Sequence, residues 1–225
     1  MTIEDKVFQR KRFVAEKLER FGFQKTDNGF EYACDFMDGS FRAILTVDGA
    51  GSVKGTVIDK MNDEEYAQLR IESFNGAYVN SVRASYEELL ESIAARCCKD
   101  VLFVSDQANR IADRIMAKYG VGPDFPWEQS RYRGYGTFRH ADTNKWFALI
   151  MNVKWDVLLK NGNPDTVDVV NLRIDPVEGD ALRKAPGIYP GYHMNHRTWI
   201  SVVLDETLSD ETVMCLIETS FDLTR

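Results

Sequence analysis

One succession of hydrophobic periods runs through this chain twice, and no other feature limits the fold as much. In the first half Val7, Phe13, Val14, Leu18 and Phe21 recur at near-helical spacing, and Gly22 follows as a stop. Strand-like stretches come next, at Gly29 to Phe36, Ser40 to Val47 and Val53 to Ile58. Turn signals at Asp38-Gly39 and Asp48 to Ser52 separate them. Phe41, Ala43, Leu45 and Val47 share one face of the second strand. A polar helical segment is expected over about 62–72 and a fourth strand over Ala77 to Val82. Ser85 and Glu88 read as a capping box opening a further helix with Leu89, Leu90, Ile93, Ala94 and Cys97. The second half repeats the order. Ser105 caps a helix through Ile111 and Ile115 that stops at Gly120, and strands follow at about 130–140, 145–155 and 166–174. A short helix is expected through Lys184, a turn at Pro186-Gly187, a strand over Trp199 to Leu204 and a final helix capped by Ser209. The expected class is α+β: two tandem modules, residues 1–104 and 105–225, each a mostly antiparallel sheet with helices packed on one face. The first module reads as a diverged copy of the second.

Of the 225 residues, 44% are hydrophobic and 28% charged, with a net charge of −7. This fits a chain that buries real cores, and it argues against a surface coated in basic charge for nucleic acid. The cysteines, Cys34, Cys97, Cys98 and Cys215, have no CxxC spacing, so neither a disulfide framework nor a zinc site is expected. No apolar leader is apparent at the N-terminus, and no apolar run approaches ~20 residues. The expectation is a cytoplasmic monomer with an internal pseudo-repeat and reduced thiols.

The second half holds all four tryptophans and all three histidines. Period-two alternation along the strand expected at 130–140 places Arg131, Arg133, Tyr135, Thr137 and Arg139 on one face. Guanidinium groups interleaved with an aromatic ring suit a phosphate backbone with occasional stacking, and equally a solvated outer face. His193 and His196 are three apart, but no acid or thiol lies near them in sequence, so no metal is expected. No GxSxG, HExxH, P-loop or GxGxxG pattern occurs, and no carboxylate pair stands out as an acid and base. Neither a catalytic residue nor a cofactor is expected.

The segment Pro186-Gly-Ile-Tyr-Pro-Gly-Tyr-His-Met-Asn-His-Arg-Thr-Trp-Ile200 resembles the signature of the MmcQ/YjbR family. Lys145-Trp-Phe-Ala-Leu149, Val170-Asn-Leu-Arg-Ile-Asp-Pro176 and Leu208-Ser-Asp-Glu211 through Leu223 are similar to its other motifs, in the same order. The resemblance covers about 107–225. It implies a CyaY-like α+β domain and the family's description as a double-wing DNA-binding protein, a description that rests on fold comparison. His196-Arg197 stands where the family carries a basic pair, so one fixed charge is replaced by a titratable one. Read without the family, the prolines and glycines fix a rigid connection that Tyr189, Tyr192 and Trp199 anchor on the sheet, with His193, Asn195, His196 and Arg197 at its rim.

Three functions follow. The first is a non-catalytic DNA-binding module using Arg131, Arg133, Tyr135, Arg139, Asn195, His196 and Arg197. Residues 111–225 carry 13 Lys+Arg against 16 Asp+Glu, so its affinity would be modest. The second is a protein-interaction or chaperone-like module with an aromatic sheet surface. The third is a small-molecule binder or enzyme with a pocket at Tyr189, Tyr192, His193 and Trp199.

Overall fold

The computed structural model describes residues 2–129 and 132–225. The chain divides into two compact units, Met1–Val101 and Leu102–Arg225. Both are α+β and antiparallel.

In the first unit α1 (Ile3–Phe8) opens on a Thr2/Asp5 capping box. It is followed by β1 (Lys11–Phe13), α2 (Ala15–Phe21), β2 (Gln24–Thr26), β3 (Gly29–Phe36), β4 (Phe41–Asp48), β5 (Val53–Asp59) and β6 (Glu64–Glu65). A 3-10 turn at Ala67–Arg70, α3 (Ala77–Cys97) and β7 (Cys98–Asp100) complete it. Strands β2 to β6 form a meander in chain order, and β1 pairs with β7. The alternation read in β4 holds: Phe41, Ala43, Leu45 and Val47 are buried and the residues between them are more exposed. Gly22 ends α2 in the left-handed conformation its stop signal required.

Four expectations for this unit fail. The first helix is two helices with β1 between them, and 62–72 holds a short strand and a 3-10 turn. Ala77 to Val82 is the start of α3, and Ser85 lies inside that helix. The buried set Val82, Tyr86, Leu90, Ile93, Ala94 and Cys97 makes one continuous helical stripe that starts before the Ser85 cap signal. Packing along this stripe outweighs a local capping preference of about 1 kcal/mol.

A polar knot lies inside this core. Glu4 is 2% exposed. Its carboxylate accepts from Arg70 Nη1 at 3.0 Å, Arg70 Nη2 at 2.8 Å and the Tyr86 hydroxyl at 2.7 Å. Arg70 also donates to the Gly55 carbonyl at 2.5 Å. Burial alone would raise the Glu4 carboxyl, but the hydrogen bonds from Arg70 and Tyr86 and the Arg70 charge outweigh it and hold it below its ordinary value.

The second unit contains α4 (Asp106–Tyr119), β8 (Gly136–Arg139), β9 (Trp146–Lys154), α5 (Trp155–Leu159), β10 (Thr166–Arg173), α6 (Gly179–Leu182), β11 (Ile188–Pro190), β12 (Trp199–Val203) and α7 (Asp210–Thr224). Its sheet order is β11-β12-β10-β9-β8. Ser105 and Ser209 cap α4 and α7 through their side chains, and Gly120 ends α4 left-handed. The segment read only as a rigid connection supplies the edge strand β11. Ile111, Ile115, Val213 and Ile217 pack with Ile150, Val170, Leu172, Ile200 and Val202 of the sheet. Gln107 and Arg110 tie α4 to Asp210 at the start of α7. No helix of the described residues is long and apolar enough to cross a membrane.

A Cβ on Gly55 would fall 1.8 Å from the Tyr86 hydroxyl and 2.6 Å from Glu4 Oε1. Gly55→Ala should therefore destabilise the first unit by about 2 kcal/mol, read as faster amide exchange along α3 and β5. The folded-state pKa of Glu4 is depressed, so its contribution to stability is present above its ordinary value of 4.5 and is lost as pH falls through the lower folded value. Urea midpoints measured from pH 6 downward should fall in the native protein, and Glu4→Gln should start lower and lose this part of the slope.

Candidate ligand-binding face

An antiparallel sheet commonly packs one face on the core and leaves the other in water. Strand β9 departs from that pattern, with Trp146 to Met151 apolar throughout and Phe147 to Met151 all buried. Alternate residues Leu149, Met151, Val153, Val167, Val169 and Val203 form a second apolar surface on the face away from α4 and α7. Trp127, Tyr135, Trp146, Trp155, Tyr189 and Tyr192 pack onto it.

These rings stand on edge to one another. Trp127 meets Trp146 at 5.8 Å and 76°, and Tyr135 at 6.1 Å and 77°. Tyr132 lies 5.4 Å from Tyr135, and Trp155 meets Tyr189 at 6.5 Å. A cavity of about 400 Å³ lies against the Trp127, Tyr132, Tyr135 and Trp146 part of this cluster. Leu149 and Met151 contribute from the sheet, and Trp127, Tyr132, Tyr135 and Trp146 line one side. Tyr192, His193 and Met194 line it as well, and Gln129 adds an amide.

The wall carrying Tyr192 is fixed from beneath. Asn171 and Ser201 are both 0% exposed in the middle of the apolar sheet. Ser201 Oγ donates to Asn171 Oδ1 at 2.6 Å and accepts from the Tyr192 N–H at 2.9 Å. Asn171 Nδ2 donates to the Tyr192 carbonyl at 2.8 Å. Both backbone groups of Tyr192 are thus held by a satisfied buried network, which rigidifies what it joins. Gly191 allows this approach, since a Cβ there would lie 2.8 Å from Trp199 Cβ. His193 follows at φ 57°, a conformation that a non-glycine residue adopts only when its surroundings impose it. Its ring lies 4.0 Å from that of Tyr192.

The arginine stripe expected along 130–140 does not form. Arg131 lies outside the described residues. Residues 132–134 are a turn in which Tyr132 N–H bonds the Gln129 carbonyl and Tyr135 N–H bonds the Tyr132 carbonyl. The strand begins only at Gly136, Thr137 is buried, and a register shift falls between Phe138 and Arg139. Period-two facing is therefore lost on both sides. Arg133 is exposed and its Nε donates to the Glu128 carbonyl at 3.1 Å. Arg139 is engaged by Asp124 at 3.3 Å and lies 5.2 Å from the Trp146 ring centroid. Tyr135 belongs to the aromatic cluster instead.

Asn195, His196 and Arg197 are exposed on the Tyr192 loop, where Asn195 Oδ1 accepts from the Arg197 N–H at 2.9 Å. Of the four residues expected to form a pocket, Tyr192 and His193 line the cavity. Tyr189 packs on the same face, and Trp199 carries the Arg173 guanidinium 5.9 Å from its ring. The sequence reading missed Trp127, Tyr132, Trp146 and Met151 as lining residues. The signal available for them was the concentration of tryptophan in this half and the unbroken apolar run of β9. Among the described residues no group of three or more His, Cys, Asp or Glu side chains is placed to hold a metal.

The family model described as YjbR matches residues 116–223, all within the second unit. The chain is 42% identical over 115 residues to the uncharacterized protein YyaQ of Bacillus subtilis, spanning 51% of this chain and 95% of that protein. It is 40% identical over 58 residues to the uncharacterized protein YbdF of Escherichia coli O157:H7, spanning 25% of this chain and 48% of that one. A crystal structure of a Pseudomonas syringae protein is 43% identical, with 52% of this chain and 97% of that one covered and a TM-score of 0.48. With nearly the whole of a relative aligned at that identity, and the signature loop built into the sheet edge, the chain belongs to the YjbR family.

Proposed function

We propose that the second unit is a binding module that takes a flat, apolar group into the aromatic cavity on the open face of its sheet. The observation that carries this reading is the cavity of about 400 Å³ among mutually braced Trp and Tyr rings. Its volume lies in the range of about 300–1,000 Å³ usual for small-ligand sites. Rigid rings offer large contact area at little entropic cost. Rings already held edge to edge, above a loop clamped by Asn171 and Ser201, need little reorganisation on binding. The ionisable lining groups are Tyr132, Tyr135, Tyr192 and His193, with no carboxylate or thiol among them.

A second reading, the DNA binding that the family resemblance implies, is favoured by the exposed Arg133, His196 and Arg197. Against it stand the net charge of −7 and the ion pair that occupies Arg139. The two readings separate in one protein preparation. Fluorescence anisotropy with labelled duplex DNA at two salt concentrations should give no salt-sensitive binding at micromolar protein. Salt-sensitive binding would instead favour the phosphate-contact reading.

The cavity is tested by NMR titration of the full chain with indole, naphthalene and cyclohexane derivatives. Planar aromatic fragments should shift the indole N–H resonances of Trp127 and Trp146, and Trp127→Ala should weaken them about three- to tenfold. If no fragment at millimolar concentration moves either resonance, the reading is wrong. Asn171→Ala leaves the Ser201 hydroxyl proton without its acceptor and the Tyr192 carbonyl without its donor. It should lower the stability of the second unit by about 1–3 kcal/mol, speed exchange of the Tyr192 amide and weaken fragment binding.

A further inference from the structure

The charge around the cavity narrows its ligand further, a step that rests on the cavity being the binding site. Its lining outside the sheet, four residues from Trp127 to Tyr135 and the run Tyr192 to Met194, falls in segments 127–135 and 189–199. Among their described residues, and leaving tyrosine aside, the ionisable groups are Arg133, His193, His196 and Arg197 against one carboxylate, Glu128. This balance is opposite in sign to that of the whole chain, which is −7.

Some of the described arginines of this unit are ion-paired and some are not. Arg110 is paired with Asp210 and Glu206, Arg114 with Glu211, Arg139 with Asp124 and Arg183 with Asp180. Arg133, Arg173, Arg197 and Arg225 have no carboxylate partner among the described residues, and Arg225 lies 5.1 Å from the Phe221 ring centroid. Arg133 and Arg197 belong to the two wall segments. Arg173 lies directly across from Trp199 in the ladder and on the same sheet face as Asn171. Arg139, 5.2 Å from the Trp146 ring, is taken by Asp124, which leaves Arg133 and Arg197 as the wall-segment guanidinium groups without a carboxylate partner among the described residues.

We infer that the cavity takes a planar aromatic molecule carrying an anionic substituent, a carboxylate or a phosphate. The ring lies among Trp127, Tyr135 and Trp146, and the anion faces Arg133 and Arg197. A guanidinium fork matches either oxyanion. The rim position gives the charge its role in selecting and steering the ligand, while ring burial supplies most of the affinity. A free aromatic acid presents this chemistry, and so does a peptide ending in tryptophan.

Calorimetric titration of the full chain with indole-3-acetate, 3-methylindole and tryptamine keeps the ring and changes only the charge. Indole-3-acetate should bind about tenfold tighter than tryptamine, since two exposed charges that attract one ligand repel the other. Arg133→Ala and Arg197→Ala should each weaken indole-3-acetate about threefold and leave 3-methylindole unchanged. A pentapeptide ending in tryptophan, compared with its C-terminal amide, separates the two sources. Binding of the peptide acid above both its amide and indole-3-acetate assigns a chain terminus, and weaker binding than indole-3-acetate assigns a free acid. If 3-methylindole and tryptamine bind as tightly as indole-3-acetate, the anion preference is overturned and the cavity stands. If none of the indoles binds, both fall.

Discussion

The second unit depends on a sheet that is apolar on both faces. Once Ala148, Ile150, Val170 and Leu172 are committed to the helices, the pleat turns Leu149, Met151, Val167 and Val169 to the other side. Leaving that side in water would expose a contiguous apolar patch of the kind that drives association. Helices α4 and α7 are already spent on the first face. The second is covered by Trp127 and Tyr135, the short α5 and the Tyr192 loop, and a cover made of rings rather than a long helix leaves a gap. The cavity follows from how the sheet is closed.

Those loops are held by polar groups placed where a strand pattern would not ask for them. Asn171 and Ser201 occupy positions on an otherwise aliphatic face, and a buried amide or hydroxyl is costly without partners. Here each finds its partner in the other or in the Tyr192 backbone. On the opposite side Asp124 and Thr137 exchange backbone hydrogen bonds at 2.8 Å, and the Thr137 hydroxyl adds a third to the Asp124 carbonyl. The two walls are thus anchored to β8 at one edge of the sheet and to β10 and β12 toward the other. This anchoring separates a preformed site from a collection of surface aromatics.

Much of this frame was legible in the sequence, because its signals are local. The Ser105 and Ser209 caps, the Gly22 and Gly120 stops and the alternation in β4 each involve residues within a few positions of one another. The failures share the opposite cause. Ala77 to Val82 reads as a strand until the burial of Val82 beside Tyr86 and Leu90 joins it to the helix behind it. Arg131 to Arg139 reads as a charged strand face, but among its described residues hydrogen bonds to Gln129 make a turn of 132–134 and those to Asp124 hold Thr137 at the sheet edge. The cavity was half legible: the signature segment pointed to Tyr192 and His193, whereas Trp127 and Trp146 come together only through the sheet.

The first unit shows that the architecture alone does not produce such a site. Its meander also packs one face on a long helix, but the other face carries charge rather than rings. There Asp35 accepts from Arg42 at 2.8 Å and from Lys60 at 2.7 Å, and these two bonds lower its carboxyl to about 2. Exposed pairs of this kind contribute little to stability, but they make the face soluble and remove the need for any cover. The difference between the units therefore lies in which residues alternate with the core, Arg42, Ile44, Thr46 and Asp48 along β4 against Leu149, Met151 and Val153 along β9. A face of the first kind ends at water, and a face of the second kind obliges the chain to build a lining over it.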